Sequence, residues 1–196
     1  MYDFRNIIIG AGVIGLAIAR ELALKGEEVI VLDKESNFGF GISSRNSEVV
    51  HAGIYYRSGS LKAKHCVLGR ELLYEYCESK NIEHRRVGKL IVATDESELE
   101  LLYKIRQRSI ENGLVKTDRL DFLSNTQINA IAPELSCVAA LYSPHTGIVN
   151  SHQFMQNLAL DAKECGATFA YGTCVKNIDY DNTLTVAGES VGEYFK

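Results

Sequence analysis

The sequence contains no tryptophan, only two prolines and no stretch of low complexity. Its five cysteines, Cys66, Cys77, Cys137, Cys165 and Cys174, include no Cys-x-x-Cys pair. Their spacing excludes a zinc ribbon and a thioredoxin-like redox pair, and no metal site is expected. An odd number of thiols in apolar surroundings predicts reduced, mostly buried side chains in a cytoplasmic protein. Basic charge is not in excess either: 21 Lys and Arg stand against 25 Asp and Glu, a net charge of −4. No nucleic-acid partner is expected, because one would need a basic face. The one dense basic cluster, His84-Arg85-Arg86, reads as a solvated turn. The apolar start, Ile7 to Ala19, is interrupted by glycines and falls short of the ~20 residues that span a bilayer. It also lacks the basic flank and cleavage site of a secretory signal. Peripheral contact with the inner face of a membrane is compatible with all of this.

What remains is a globular composition, 46% hydrophobic and 23% charged over 196 residues. That length holds one core, or one domain carrying an inserted lobe. Ile7-Ile8-Ile9 is a β-branched run ending at Gly10, the mark of a parallel strand buried on both faces. Val13 to Lys25 carries Ile14, Ala17, Ile18, Leu22 and Ala23 at helical spacing, and Gly26 ends it. Glu28 to Asp33 is a second apolar strand, so the opening is one βαβ unit. Further on, helices are predicted over 60–80, 96–112, 124–132 and 151–164. In the first of these Leu61, Cys66, Leu68, Leu72, Leu73 and Tyr76 form the apolar side, and Ser151 caps the last. Strands are predicted over 88–94, 138–142, 168–171, 174–180 and 183–186, with Asp181-Asn182 as the final turn. Alternating β and α elements predict a doubly wound α/β sheet with an added antiparallel element.

The glycines of this opening stand where a diphosphate needs them. Gly10 permits the tight turn off the first strand, Gly12 admits a phosphate close to the backbone, and Gly15 lets the helix pack on the strand. The helix that starts at Val13 and Ile14 points its free N–H groups and the positive end of its dipole at the same place. Asp33 closes the second strand about 20 residues beyond the loop, where a carboxylate accepts hydrogen bonds from ribose hydroxyls and repels a 2′-phosphate. The loop alone does not separate FAD from NAD, which share the adenosine diphosphate end.

A second constellation follows. Ser43, Ser44, Arg45 and Asn46 lie in a loop rich in Gly, Ser and Asn, where hydroxyls and a guanidinium could meet cofactor phosphate. A surface loop with a helix cap accounts for them equally well. His51 near Tyr55 and Tyr56 could line a pocket and accept a substrate proton; a structural histidine is the plainer alternative.

Several stretches together resemble the L-2-hydroxyglutarate dehydrogenase/oxidase group of the glycine-oxidase-like, D-amino-acid-oxidase-type flavoproteins. They are Ile9-Gly10-Ala11-Gly12-Val13-Ile14-Gly15, Leu32-Asp33-Lys34-Glu35, Val50-His51-Ala52-Gly53-Ile54-Tyr55-Tyr56, Gly88-Lys89-Leu90-Ile91-Val92-Ala93 and Pro144-His145-Thr146-Gly147-Ile148-Val149. The resemblance implies FAD as cofactor and a Rossmann-like FAD-binding sheet, residues 1–84 and 150–196, into which an α+β substrate lobe, 85–149, is inserted. It implies that Lys34 lies with Asp33 at the cofactor and that Val175 lends its backbone to the adenine. The expected reaction oxidises a small 2-hydroxy acid to the 2-oxo acid; an amino acid as substrate, or a non-catalytic FAD-binding subunit of a split enzyme, are the alternatives. Group members carry Gly where this chain has Glu48. They also continue well past the position of Lys196, so the chain is expected to be C-terminally incomplete and to work with a complementary C-terminal chain.

Overall fold

The computed structural model describes residues 4–179 and 184–188. In chain order the elements are β1 (Asn6–Ile9), α1 (Val13–Leu24), β2 (Val29–Leu32), β3 (Val49–Val50), α2 (Leu61–Ser79), β4 (His84–Arg85) and β5 (Lys89–Ala93). There follow α3 (Leu99–Glu111), β6 (Asp121–Phe122), α4 (Asn125–Ile131), β7 (Ala139–Ser143), β8 (Gly147–Val149), α5 (Ser151–Glu164), β9 (Thr168–Ala170), β10 (Thr173–Ile178) and β11 (Leu184–Gly188). The chain divides into two compact units, Met1–Ser47 with Asn150–Lys196, and Glu48–Val149.

The first unit is built on a parallel sheet ordered β1-β2-β9. Val29, Ile30, Val31 and Leu32 are all buried, as a central parallel strand requires. The expectation that β1 is buried on both faces is not met: Ile7 and Ile8 are only half-buried, and Ile9 is 53% exposed. The reason is topological, since β1 pairs only with β2 among the described residues. Helix α1 ends as predicted. Gly26 takes φ +75, and its N–H donates to Ala23 while that of Glu27 reaches back to Leu22, which satisfies the last carbonyls. Its buried residues are Leu16, Ala19 and Ala23, whereas Ile14 and Ile18, expected inside, are exposed. Helix α5 packs against α1, and Arg20 Nε meets the buried Asp161 carboxylate at 2.7 Å. The cap of α5 is Asn150, whose side chain accepts from the N–H of Gln153, not Ser151. After β9 the chain forms an antiparallel pair, β10 with β11; the predicted Asp181-Asn182 turn lies outside the described residues.

The second unit is antiparallel, with sheets ordered β3-β8-β4 and β5-β7-β6. Ala93, Leu102, Leu114, Leu120 and Leu141 form its core, with Ala52 and Ile54 from the segment after β3. That membership moves the boundary between units from the expected 84/85 to 47/48, because residues 48–84 share a core with 85–149. The second unit ends at Val149, and the first resumes at Asn150. Helix α2 is capped by Ser60, but it buries Ala63, Arg70, Tyr74 and Cys77 rather than the predicted leucine side, leaving Leu61, Leu68 and Leu72 exposed. A buried arginine on the inner face is the cause. Arg70 ion-pairs with Asp118 and, at 2.7 Å, with Glu71, a network no hydrophobic count anticipates. His84-Arg85 is strand β4 rather than a solvated turn; it pairs with Val149 and Ile148, while the Arg86 guanidinium lies 4.2 Å from the Tyr74 ring centre. Of the cysteines, all free, only Cys77 is buried, and Cys165 is exposed. No helix among the described residues is long and apolar enough to cross a membrane.

Candidate dinucleotide-binding site

The turn from β1 into α1 is held by close steric constraints. Gly10 has φ +101, a conformation that side chains avoid. A Cβ on Gly15 would collide with the Gly10 carbonyl, so helix and turn close on each other only with glycine there. Helix α1 has no side-chain cap of its own at Gly12. Its first N–H, from Val13, instead donates to Ser43 Oγ at 3.1 Å, and Ser43 Oγ also stands 3.0 Å from where a Gly12 Cβ would project.

The acid closing β2 faces this turn. Asp33 Oδ2 accepts from the Ala11 N–H at 2.6 Å and Oδ1 from the Glu35 N–H at 2.9 Å. Each oxygen keeps a lone pair for a further donor. Backbone bonds brace the surroundings: Gly39 N–H to Ala11, Asp33 N–H to Ala170 and Thr173 N–H to Asp33. Tyr171, in the turn after β9, has its phenol pushed up to about 12 by burial and then by the Asp33 charge.

These elements enclose a pocket of about 380 Å³ lined by Ile9, Gly10, Gly12, Leu32, Asp33, Lys34, Glu35, the 39–43 loop and Thr173, Cys174 and Val175. Pockets of this size hold small-molecule ligands. The adenosine diphosphate half of FAD fits the chemistry of the lining: a glycine turn at a helix N-terminus for the phosphates, a carboxylate for the ribose, and a strand edge at Val175 for a flat base.

The sequence-predicted residues separate into four groups. Gly10, Gly12, Asp33, Lys34, Ser43 and Val175 converge on the pocket, with Val13 joined through Ser43. Ile14 and Gly15 line an adjoining trough along β1 together with Gly10 and Gly12. Ser44 turns its side chain into its own loop, Oγ to Gly41, Asn46 Nδ2 donates to the Ser43 carbonyl and to Ser151 Oγ on α5, and the Arg45 N–H closes the loop onto Ile42. His51, Tyr55 and Tyr56 belong to the second unit. His51 is exposed, and its carbonyl accepts the Cys66 thiol at 3.3 Å. The Tyr56 phenol is raised above its ordinary value by burial, reinforced by Cys66, and Lys62 and Lys89 lie 4.6 Å from the ring centres of Tyr56 and Tyr55. Sequence reasoning missed Gly39, Phe40, Gly41 and Ile42 as pocket wall. The signal was the glycine pair in a loop following β2, but only the long-range bond from Gly39 to Ala11 brings it to the site.

Fold and site together define a dinucleotide-binding α/β protein with an inserted antiparallel unit. Residues 5–195 match the family described as FAD dependent oxidoreductase, and the chain belongs to that family. Among curated relatives, L-2-hydroxyglutarate dehydrogenase of Arabidopsis thaliana is 47% identical over 190 residues, covering 88% of this chain and 39% of the plant protein. The human L-2-hydroxyglutarate dehydrogenase is 38% identical, covering 90% and 38%. Among solved structures, the FAD-bound L-α-glycerophosphate oxidase of Mycoplasma pneumoniae superimposes with a TM-score of 0.86 at 29% identity, covering 95% of this chain and 50% of the oxidase. Glycine oxidase from Geobacillus kaustophilus gives 0.82 at 25% identity, covering 95% and 52%. The chain thus spans about two fifths to one half of the relatives it matches.

Proposed function

We propose that these residues form the ADP-binding half of an FAD-dependent oxidoreductase that oxidises a small 2-hydroxy acid, L-2-hydroxyglutarate being the lead candidate. The observation that carries the cofactor reading is the Asp33 carboxylate held against the glycine turn. Support for the substrate is the 47% and 38% identity to relatives named for L-2-hydroxyglutarate, against 25% to glycine oxidase, which carries the amino-acid alternative. FAD, when bound, supplies a two-electron acceptor for the hydride of the carbinol carbon.

In this reading Gly12, Ile14 and Gly15 offer backbone to the diphosphate, Gly10 makes the turn that lets it approach, and Ser43, holding the Val13 N–H, completes the phosphate ligation. Ser44, Arg45 and Asn46 shape that loop and add one positive charge. Asp33, beside Lys34, accepts the ribose hydroxyls, and Val175 offers main-chain groups to the adenine. His51 takes the substrate hydroxyl proton, and Tyr55 and Tyr56 shape the substrate pocket of the inserted unit, residues 48–149. The partners are a small-molecule substrate and the complementary C-terminal half of the fold. Five free cysteines accord with a reducing compartment, here the cytoplasm, with peripheral contact to the inner face of a membrane.

The test is a titration of the purified chain with ADP, FAD and NADP. Saturable ADP binding, competed by FAD and not by NADP, and weakened at least ~10-fold in Asp33→Ala, is expected, since a charge-assisted hydrogen bond contributes about 1.5–3 kcal/mol. Equal binding by the variant, or no competition between ADP and FAD, overturns the reading.

A further inference from the structure

We propose that Asn112, at the C-terminal end of α3, is a positioning residue that fixes the direction in which His51, Tyr55 and Tyr56 leave the backbone of the second unit. What those three do in the reaction rests on the oxidoreductase reading above; how they are held does not. Residues 51–56 follow the short strand β3 and form no backbone-to-backbone hydrogen bond among the described residues. A segment without a ladder must satisfy its polar groups elsewhere. Ala52 and Ile54 are buried in the core of the unit, while His51 and Tyr55 are exposed. Gly53 takes φ +88, and a Cβ there would stand 2.8 Å from Val67 Cγ2 on α2.

The carbonyls of this segment are taken by side chains from two helices distant in sequence. Asn112 Nδ2 donates to the Gly53 carbonyl and to the Tyr56 carbonyl, each at 2.9 Å. One nitrogen thus joins two carbonyls of the same segment and sets the bend that carries Tyr55 and Tyr56. At the other end the Cys66 thiol of α2 donates to the His51 carbonyl at 3.3 Å. The two grips meet at Tyr56. Its phenol bonds the Cys66 sulfur and is raised above its ordinary value by burial and then by that thiol. Burial likewise pushes the Cys66 thiol up. Asn112 is itself anchored, since its backbone N–H donates to the Arg108 carbonyl at 3.0 Å and closes the helix.

The chemistry of the side chain identifies the role. Asparagine carries two N–H donors on one atom; aspartate has none, and glutamine holds them one methylene farther out. Asn112 spends both donors on residues 53–56, and its Oδ1 is left buried with no partner among the described residues. An unpaired buried acceptor lowers stability. A residue placed for stability alone would pair all of its groups, whereas one placed to hold two carbonyls at a set spacing tolerates that cost. Groups that act on a substrate need such fixed support, because small displacements of reacting atoms cost large factors in rate.

The test uses the 196-residue chain and three variants. Asn112→Ala removes the side chain, and Asn112→Asp keeps its volume but not its donors. Ser109→Ala is the control: Ser109 is buried on the same helix, and its hydroxyl donates to the Arg106 carbonyl at 2.7 Å. Alkylation of Cys66 by iodoacetamide is read by peptide mass, with Cys174 of the first unit as internal reference. Both Asn112 variants should raise the Cys66 rate at least ~5-fold, and Ser109→Ala less than ~2-fold. In the parent, which needs no variant to fold, the Asn112 carboxamide protons should exchange at least ~10-fold more slowly than those of exposed asparagines. Binding of L-2-hydroxyglutarate, followed by the His51 ring signals in NMR, should weaken at least ~5-fold in both Asn112 variants and stay within ~2-fold of the parent in Ser109→Ala. Equal alkylation in all three variants, freely exchanging Asn112 protons, or a freed Cys66 with hydroxy-acid binding intact overturns the proposal. A parent that does not bind L-2-hydroxyglutarate removes the substrate reading, and the alkylation rates with the Asn112 protons then decide the positioning role by themselves.

Discussion

The two units handle polar groups in opposite ways. In the first, the parallel strands hold almost none in their interior, and the polar atoms gather at the strand ends, where the Asp33 carboxylate, the Ser43 hydroxyl and the start of α1 face a pocket. In the second, one charge is folded inward and satisfied by opposite charges around it. Arg70, side chain 1% exposed, is held by Asp118 and Glu71; His145 Nε2 meets Asp118 at 3.1 Å and Nδ1 contacts Arg86 at 3.2 Å; Arg86 returns to Glu71 at 3.6 Å. The closed ring ties α2 to the loop before β6 and to the turn between β7 and β8. A strand-end site leaves hydrogen-bonding capacity for a ligand. A ring of ion pairs and hydrogen bonds leaves little, and acts to fix one packing.

That contrast can be broken from either side. The largest effect is expected from Gly15→Ala. The added Cβ meets backbone, which cannot yield as a side chain would, so ADP binding should fall at least ~100-fold, with thermal melting lowered as well. A variant binding ADP like the parent would show that the β1–α1 turn is not a cradle.

Next comes Arg70→Met. Breaking a buried pair costs about 3–5 kcal/mol when the partner stays buried. Here Asp118 and Glu71 are 24% and 43% exposed and can rehydrate, and Arg70 Nη1 has no partner, so about 2–3 kcal/mol is expected in urea unfolding. Disrupting the exposed Glu21–Lys25 pair on α1, at 3.0 Å, should cost no more than about 0.5 kcal/mol. Equal costs would erase the distinction between the units.

Alkali should weaken both units in offset, overlapping windows. Burial, reinforced by Glu78, pushes the Cys77 thiol from 9.0 up to about 11, and Tyr171 rises from 10.0 to about 12. In each case the folded state holds its proton more tightly than the unfolded chain. The stabilisation is therefore whole below the unfolded value and is lost as pH rises through the folded one. The second unit should lose stability from about pH 9 to 11 and the first from about 10 to 12, with Cys77→Ala and Tyr171→Phe each flattening its own window in pH-dependent melting. A variant that leaves its window unchanged counts against the assignment.

A small effect of the opposite sign belongs to Glu48, which adopts φ +57 at the position where the resemblance expects glycine. Glu48→Gly should stabilise the second unit by about 0.5–1 kcal/mol, the relief of a left-handed side chain less the entropy of glycine. A loss of melting temperature would mean that the Glu48 side chain contributes more than its backbone costs.

Local chemistry was written in the chain. Ile7-Ile8-Ile9, the glycine triplet and the Gly26 stop each act within a few residues, through sterics and capping, and set the βαβ opening, while Asp33, at the end of the next strand, completes the cradle through Ala11. Which side of a helix faces inward was not. Leu61, Leu68 and Leu72 of α2 and Ile14 and Ile18 of α1 have core spacing yet lie outside. The decision came from neighbours distant in sequence, Asp118 for Arg70 and Asp161 for Arg20. The same holds for the pocket wall at Gly39–Ile42 and for the membership of residues 48–84 in the second unit. Hydrophobic periodicity states that a helix has an apolar face; only the surfaces brought against it determine whether that face is covered.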